Sequence, residues 1–368
     1  MQHAALFAAR DTGPLPERPL LSADCFCHGL NNPLLLLNCA CISAQVAPVL
    51  WRCGKIWNHI RDMAPRTLVI GGCGFIGSHV VDHLRARGAA VRVLDRRPEA
   101  FRPPLEGVEY VFGDFSDTSL IYEALEGVDA VFHGASTTVP ATSNLDPVAD
   151  ITGNLIATVR LLEILRNKPV RKLVYLSSGG TVYGIPKTER VHEDHPQNPI
   201  NSYGIVKTAI EKYIYMEQEL HGLQPVILRA SNPYGPRQGH TGIQGIIGTY
   251  LWKLHRQEPI EVWGDGCVVR DYIYVKDLAA LCVEALMQPA TGCFNAGSGT
   301  GHSVNDIVRV ALETTGCETQ AIYKSGRAYD VPRIVLDIER ARAAFGWHPR
   351  MSLEAGLAET WSWVQSQR

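Results

Sequence analysis

No charge of either sign dominates this sequence: 35 Lys and Arg stand against 37 Asp and Glu in 368 residues, a net charge of -2. That balance gives no case for a polyanion such as nucleic acid as partner, while small anions remain open to local arginines. Metal-ligand spacing is missing as well. Cys73, Cys267, Cys282, Cys293 and Cys317 are scattered singly, and the pairs Cys25/Cys27 and Cys39/Cys41 have no further His or Cys pair suitably near. No metal site is expected, and the five scattered thiols read as reduced packing residues of a cytoplasmic protein. An unbroken apolar span is lacking too. The uncharged stretch 29–51 carries Asn31, Asn32, Asn38, Gln45 and two prolines, and Asp11, Glu17 and Asp24 occupy the region where a signal peptide would be basic and then apolar. Neither a membrane span nor a signal peptide is expected. Residues 1–64 read as a dispensable extension, with the fold beginning near Met63.

From there the pattern is regular. Short apolar runs at 67–70, 90–94, 108–112, 130–133, 172–177 and 225–229 alternate with helical segments around 75–84, 119–125, 154–167 and 202–221. Strand and helix in strict alternation predict a parallel sheet covered on both faces, an α/β doubly wound, Rossmann-like domain over 65–231. Beyond Asn232 the chain loosens into Gly/Pro-rich loops, short strands and helices near 243–256, 276–287, 303–315 and 352–366. This reads as a smaller C-terminal α/β substrate lobe, 232–368, with part of 265–290 returning to the first domain.

Two motifs carry chemistry. Gly71, Gly74 and Gly77 lie in a G-x-x-G-x-x-G loop between the first strand and its helix, where backbone and a bare helix N-terminus can cradle a pyrophosphate. Asp95 ends the second strand 18 residues past Gly77, placed to accept hydrogen bonds from an adenosine ribose and to repel a 2′-phosphate, which favours NAD over NADP. Asp114, after the third strand, either contacts the adenine or only forms a turn. Tyr203 and Lys207 are four apart on a predicted helix and therefore share a face. A tyrosine titrating near 10 becomes a base at neutral pH only beside fixed cations, which Lys207 and an oxidised nicotinamide would supply.

These residues resemble the extended short-chain dehydrogenase/reductase family, in its nucleotide-sugar branch of UDP-glucose 4-epimerases. The resemblance spans 66–368 through five ordered motifs: Gly-Gly-Cys-Gly-Phe-Ile-Gly-Ser-His at 71–79, Ser-Ser-Gly-Gly-Thr-Val-Tyr-Gly at 177–184, Ser-Tyr-Gly-Ile-Val-Lys at 202–207, Asn-Pro-Tyr-Gly-Pro-Arg at 232–237 and Val-Arg-Asp-Tyr-Ile at 269–273. It implies an isomerase that inverts C4 of a UDP-sugar through a transient 4-keto intermediate. Tyr203 would be the base, and Lys207 would orient the nicotinamide ribose and hold the tyrosine's pKa down. Gly71, Gly74, Phe75, Ile76, Gly77, Asp95, Asp114 and Phe115 would contact NAD. Asn232, Arg270 and Arg327 would bind the diphosphate, and Trp263 would either lie near the uracil or pack in the core. The resemblance also implies a homodimer formed through 144–167 and 202–221. One position departs: where the family carries a serine, this chain has Gly179, so the hydroxyl bridging sugar and tyrosine is expected from Thr181, or from Ser178 or water. Gly179 and Gly180 also lack the acids of related dehydratases and decarboxylases, leaving reversible oxidation at one carbon. Ile334, where some members carry a tyrosine, keeps UDP-N-acetylglucosamine open as a rival to UDP-glucose and UDP-galactose. Other nucleotide-sugar oxidoreductases, and a non-catalytic NAD-binding regulator, are the remaining readings.

Overall fold

Leu68, Val69 and Ile70 have no solvent exposure at all, and this short run is the centre of the molecule. It belongs to β1 (Arg66–Ile70), the first of the parallel strands β2 (Ala90–Asp95), β3 (Val108–Phe112), β4 (Ala130–His133), β5 (Lys172–Ser178) and β6 (Gln224–Ala230). The computed structural model describes residues 66–239, 245–326 and 331–367. Period-two alternation sends Val69, Val93, Phe132, Val174 and Leu228 to one face and Leu68, Ile70, Leu94, Val131 and Leu173 to the other. Each face needs a cover. Helix α1 (Phe75–Ala86) packs on the first face through Val80, Val81 and Leu84. The second face is covered by α2 (Thr118–Ala124), α4 (Ala157–Leu165) and α5 (Ser202–His221). Between α3 (Pro147–Asp150) and α4 the chain makes a π-helical turn, Ile151–Ile156, so the single helix expected over 154–167 is in fact a wider turn followed by a nine-residue helix.

After β6 the chain leaves the sheet. β7 (Asn232–Tyr234), α6 (Ile246–His255), β8 (Ile260–Trp263) and β9 (Val269–Tyr274) open the smaller lobe. Then α7 (Val275–Met287) returns to cover the first face beside α1, and β10 (Gly292–Ala296) pairs with β6 as a seventh parallel strand. The returning stretch thus runs to Ala296, past the expected 265–290. That strand, Gly-Cys-Phe-Asn-Ala, has a single large apolar residue and no periodicity to betray it. The main sheet has the order β10-β6-β5-β4-β1-β2-β3, with the reversal of direction between β1 and β4, the place where such sheets bind dinucleotides. The lobe is completed by β11 (Gly301–Ser303), α8 (Val304–Thr315), β12 (Ala321–Lys324), β13 (Arg333–Ile334), α9 (Glu339–Phe345) and α10 (Leu353–Ser366). It has its own core of Tyr234, Ile247, Leu251, Ile260, Val262, Ile307 and Leu357. No helix among the described residues is long and apolar enough to cross a membrane.

Candidate active site

Residues at the carboxyl ends of β1, β2, β4, β5 and β6 make the site. Gly71 turns out of β1 with φ +84°, a left-handed conformation that favours glycine. A Cβ on Gly77 would stand 2.0 Å from the Gly71 carbonyl oxygen, so that glycine lets α1 approach the loop. Gly74 is different: its backbone is extended, and a Cβ there would meet nothing nearer than 3.4 Å. Protein packing does not demand glycine at 74. The missing side chain instead leaves the α1 N-terminus, which has no side-chain cap, open to a pyrophosphate, and NAD fits the cradle on that ground. Phe75 begins α1 and meets His79 edge-on, while Ile76 packs against the core. The Asp95 carboxylate accepts the Cys73 N–H at 3.0 Å and the Arg96 N–H at 2.7 Å, tying the glycine loop to the end of β2. Cys73 itself is an inert packing residue, its thiol pushed up to about 12 by burial and by the charges of Asp95 and Glu99. Asp114 accepts the Ser116 N–H at 2.8 Å, and that bonding holds its carboxyl below the ordinary range; the turn is the role its contacts describe. Phe115 is buried, its ring 4.8 Å from that of His133.

Tyr203 and Lys207 fall in the first two turns of α5, which Asn201 caps by accepting the Gly204 N–H at 2.8 Å. Lys207 is buried and its Nζ donates to the Leu176 carbonyl at 2.9 Å, 5.5 Å from the Tyr203 ring centre. Burial pushes the ammonium down to about 8, against the pull of Glu211 and Asp150. Burial and the Asp150 carboxylate raise the Tyr203 phenol above its ordinary value, opposed by a hydrogen bond with Ser136. The expected depression by Lys207 is therefore not present in the protein by itself; the ammonium is committed to a β5 carbonyl.

Three residues behind this pair escaped sequence reasoning. Glu211, one further turn along α5, accepts from Arg229 Nη2 at 2.7 Å, Ser177 Oγ at 2.5 Å and Gln197 Nε2 at 2.6 Å. Asp150, fully buried, accepts from the hydroxyls of Thr138 at 2.6 Å and Ser202 at 2.7 Å. Ser136 sits in the loop after β4. The i, i+4, i+8 spacing of Tyr203, Lys207 and Glu211 was the available signal for the first, and the hydroxyl run Ser136-Thr137-Thr138 at a strand's carboxyl end for the other two.

Ser178 closes β5. Thr181 stands beside α5, its carbonyl 2.8 Å from where a Gly204 Cβ would lie, and its hydroxyl is enclosed with no hydrogen-bond partner. In the smaller lobe a cavity of about 230 Å³ brings together Asn232, Trp263 and Arg270 with Tyr234, Tyr250 and Tyr272. Asn232 Nδ2 donates to the Asp271 carbonyl at 2.9 Å, and Arg270 Nη1 donates to the carbonyls of Val269 and Val331. Trp263 is 44% exposed at this cavity, so it is no core residue. Arg327 lies outside the described residues. Two contacts join the cofactor helix to the loop after β7: His79 with the Pro236 carbonyl at 3.0 Å, and Asp82 with Arg237 at 2.8 Å.

A bare helix N-terminus at the switch point of a doubly wound sheet, with a tyrosine–lysine pair facing the same edge, is the site of a dinucleotide-dependent short-chain dehydrogenase/reductase. The chain belongs to the NAD dependent epimerase/dehydratase family, whose model matches residues 67–297. It is 35% identical over 301 residues to a putative UDP-glucose 4-epimerase of Methanocaldococcus jannaschii, covering 81% of this chain and 98% of that one. It is also similar to the solved UDP-glucose 4-epimerase of Thermotoga maritima with UDP-glucose (TM-score 0.79, 33% identity, 82% and 98% of the two chains). A third likeness is to that of Thermus thermophilus in complex with NAD (TM-score 0.77, 34% identity, 82% and 99%).

Proposed function

We propose that the protein is a UDP-sugar 4-epimerase that interconverts UDP-glucose and UDP-galactose through a transient 4-keto sugar. The reading is carried by one observation: the glycine cradle, Tyr203 and Lys207 converge on one sheet edge, while Gly179 and Gly180 offer no second acid for eliminating water. NAD, when bound, would supply the hydride acceptor and donor for the sugar's C4. Tyr203 takes the 4-hydroxyl proton and gives it back. Lys207, fixed by Leu176 and kept charged by Glu211 and Asp150, holds positive charge in the cleft where the phenolate develops. Asn232, Arg270 and Arg327 bind the diphosphate, and Trp263, with Tyr250 and Tyr272, encloses the uracil. Asp95 and the glycines hold the dinucleotide.

The expected assembly is a homodimer in the cytoplasm. Leu145 is exposed in the turn before α3, Val148, Ile151 and Ile156 on α3 and the π-helical turn after it, and Ile205, Tyr213 and Leu220 on α5, an apolar surface suited to a helix bundle; the described cysteines are all free thiols, as a reducing compartment requires. Purified protein incubated with UDP-galactose and no added NADH should yield UDP-glucose, and a requirement for added reductant would replace this reading with a net oxidoreductase. The same assay with UDP-N-acetylglucosamine reads the rival substrate, since Ile334 is only 2% exposed and pairs in register with Arg270.

A further inference from the structure

Asp150, the last residue of α3, has no solvent exposure. A carboxylate so enclosed must be met by donors, and its three side-chain donors come from three different segments. Oδ1 accepts Thr138 Oγ1 from the loop after β4 at 2.6 Å and Asn154 Nδ2 from the π-helical turn at 2.9 Å. Oδ2 accepts Ser202 Oγ from the first turn of α5 at 2.7 Å. Each of these partners is neutral, and both hydroxyls are held as donors because an ionised carboxylate only accepts.

The outer two segments are the two halves of the site. At the start of the loop after β4 the Gly134 N–H donates to the Ile70 carbonyl at 3.0 Å, and the Ala135 nitrogen lies 2.9 Å from where a Gly71 Cβ would stand. This part of the loop therefore borders the glycine cradle. At the other end Ser202 immediately precedes Tyr203. The backbone of that first turn is capped from elsewhere: the Ser202 N–H donates to Asn144 Oδ1 at 2.8 Å, the Tyr203 N–H to Ser143 Oγ at 3.1 Å and the Gly204 N–H to Asn201. Those caps seat the helix start, and the Asp150 side chain bridges it to Thr138, beside the cradle.

Resting on the assignment of Tyr203 as base, we propose that Asp150 is a positioning residue for the reaction: it fixes the helix start that carries the phenol against the loop that borders the dinucleotide cradle. It acts through Ser202 and Thr138 and neither gains nor loses a proton. A phenol displaced by about an ångström from the reacting carbon costs up to roughly 100-fold in rate.

The test uses the full chain as purified, with Asp150→Ala, Asp150→Asn, Ser202→Ala, Thr138→Val, the double variant of the last pair, and Tyr203→Phe. Each is read by kcat and KM for UDP-galactose and by amide hydrogen exchange over 134–138 and 202–206. In Asp150→Ala, exchange over both segments should quicken together by about tenfold, and kcat should fall roughly 10- to 100-fold with KM within about twofold. Asp150→Asn keeps an acceptor for Thr138 and Asn154 and lets Ser202 accept instead of donate, so its kcat should stay within about threefold of the parent. Ser202→Ala and Thr138→Val each cut the same bridge, so the double variant should lose no more than the worse single one. If Asp150→Ala does not fold, that cycle carries the test by itself. Losses that multiply in the double variant would overturn the shared bridge. So would faster exchange in Asp150→Ala with kcat unchanged, the mark of a residue that only builds the fold, or an Asp150→Asn as slow as Asp150→Ala. Each of these outcomes leaves the base in place while Tyr203→Phe is inactive. Turnover persisting in Tyr203→Phe would remove the base assignment and this inference with it.

Discussion

The cofactor cradle and the cavity of the smaller lobe are built from opposite materials. Around Gly71, Gly74 and Gly77 the useful groups are backbone N–H donors, and the sequence contributes chiefly by withholding side chains. Around Asn232, Trp263 and Arg270 the useful groups are side chains, drawn from β7, β8 and β9 with Tyr250 of α6 added. A backbone site is encoded by spacing within a few residues. A side-chain site is encoded by which distant strands become neighbours, and single replacements there tune affinity without threatening the fold.

The contrast can be broken at the glycines themselves. Gly77→Ala forces a Cβ to 2.0 Å from a backbone oxygen, and the overpacking should cost about 3 kcal/mol, visible as a lower Tm together with loss of co-purifying NAD. Gly74→Ala has room in the protein, its Cβ standing 3.4 Å from the nearest neighbour. It should keep its unfolding free energy within about 1 kcal/mol of the parent and still lose NAD, because only the ligand needs that space. If both variants lose stability alike, the cradle is a packing motif.

Lys207 sharpens the comparison through pH. Its folded value, down to about 8 from 10.5, means that between these limits the unfolded chain binds more protons than the folded one. Stability from this group therefore rises as pH increases through the window, and its burial penalty is fully present below pH 8. Denaturant melts of the parent against Lys207→Met should diverge in the parent's favour by roughly 3 kcal/mol from pH 8 to 10.5. A constant difference would show that the lysine titrates normally and is not desolvated. Turnover should fall over the same range as the ammonium is lost.

The smallest effect is expected in the lobe. Trp263→Ala, at an exposed ring, should leave the unfolding free energy unchanged within about 0.5 kcal/mol and raise KM for the UDP-sugar about tenfold, through lost stacking area. A fall in Tm instead would make Trp263 part of the lobe's frame.

What was legible in the sequence follows the same division. The glycine loop, the acid ending β2, the six apolar strands and the Tyr203/Lys207 face could be read because each signal is local, a turn chemistry or a period of two or four. β10 could not, since a five-residue strand with one phenylalanine is defined only by its neighbour β6. Asp150 lies 52 residues from the Ser202 whose hydroxyl it accepts, so only the packing of α3 beside α5 reveals the contact. The π-helical turn at 151–156 likewise has no period of its own; Asp150 precedes it and Asn154 lies within it, and their side chains bond the loop after β4.

Gly180 has a consequence beyond this reaction. A Cβ there would meet nothing within 4 Å, whereas its neighbour Gly179 is hemmed in by β6. The loop after β5 thus has room for a side chain at 180 and none at 179. A Cβ added at 180 asks the fold to move nothing, whereas one at 179 asks the β6 backbone to give way. Two adjacent glycines thus differ in kind, one required by packing and one left free to vary.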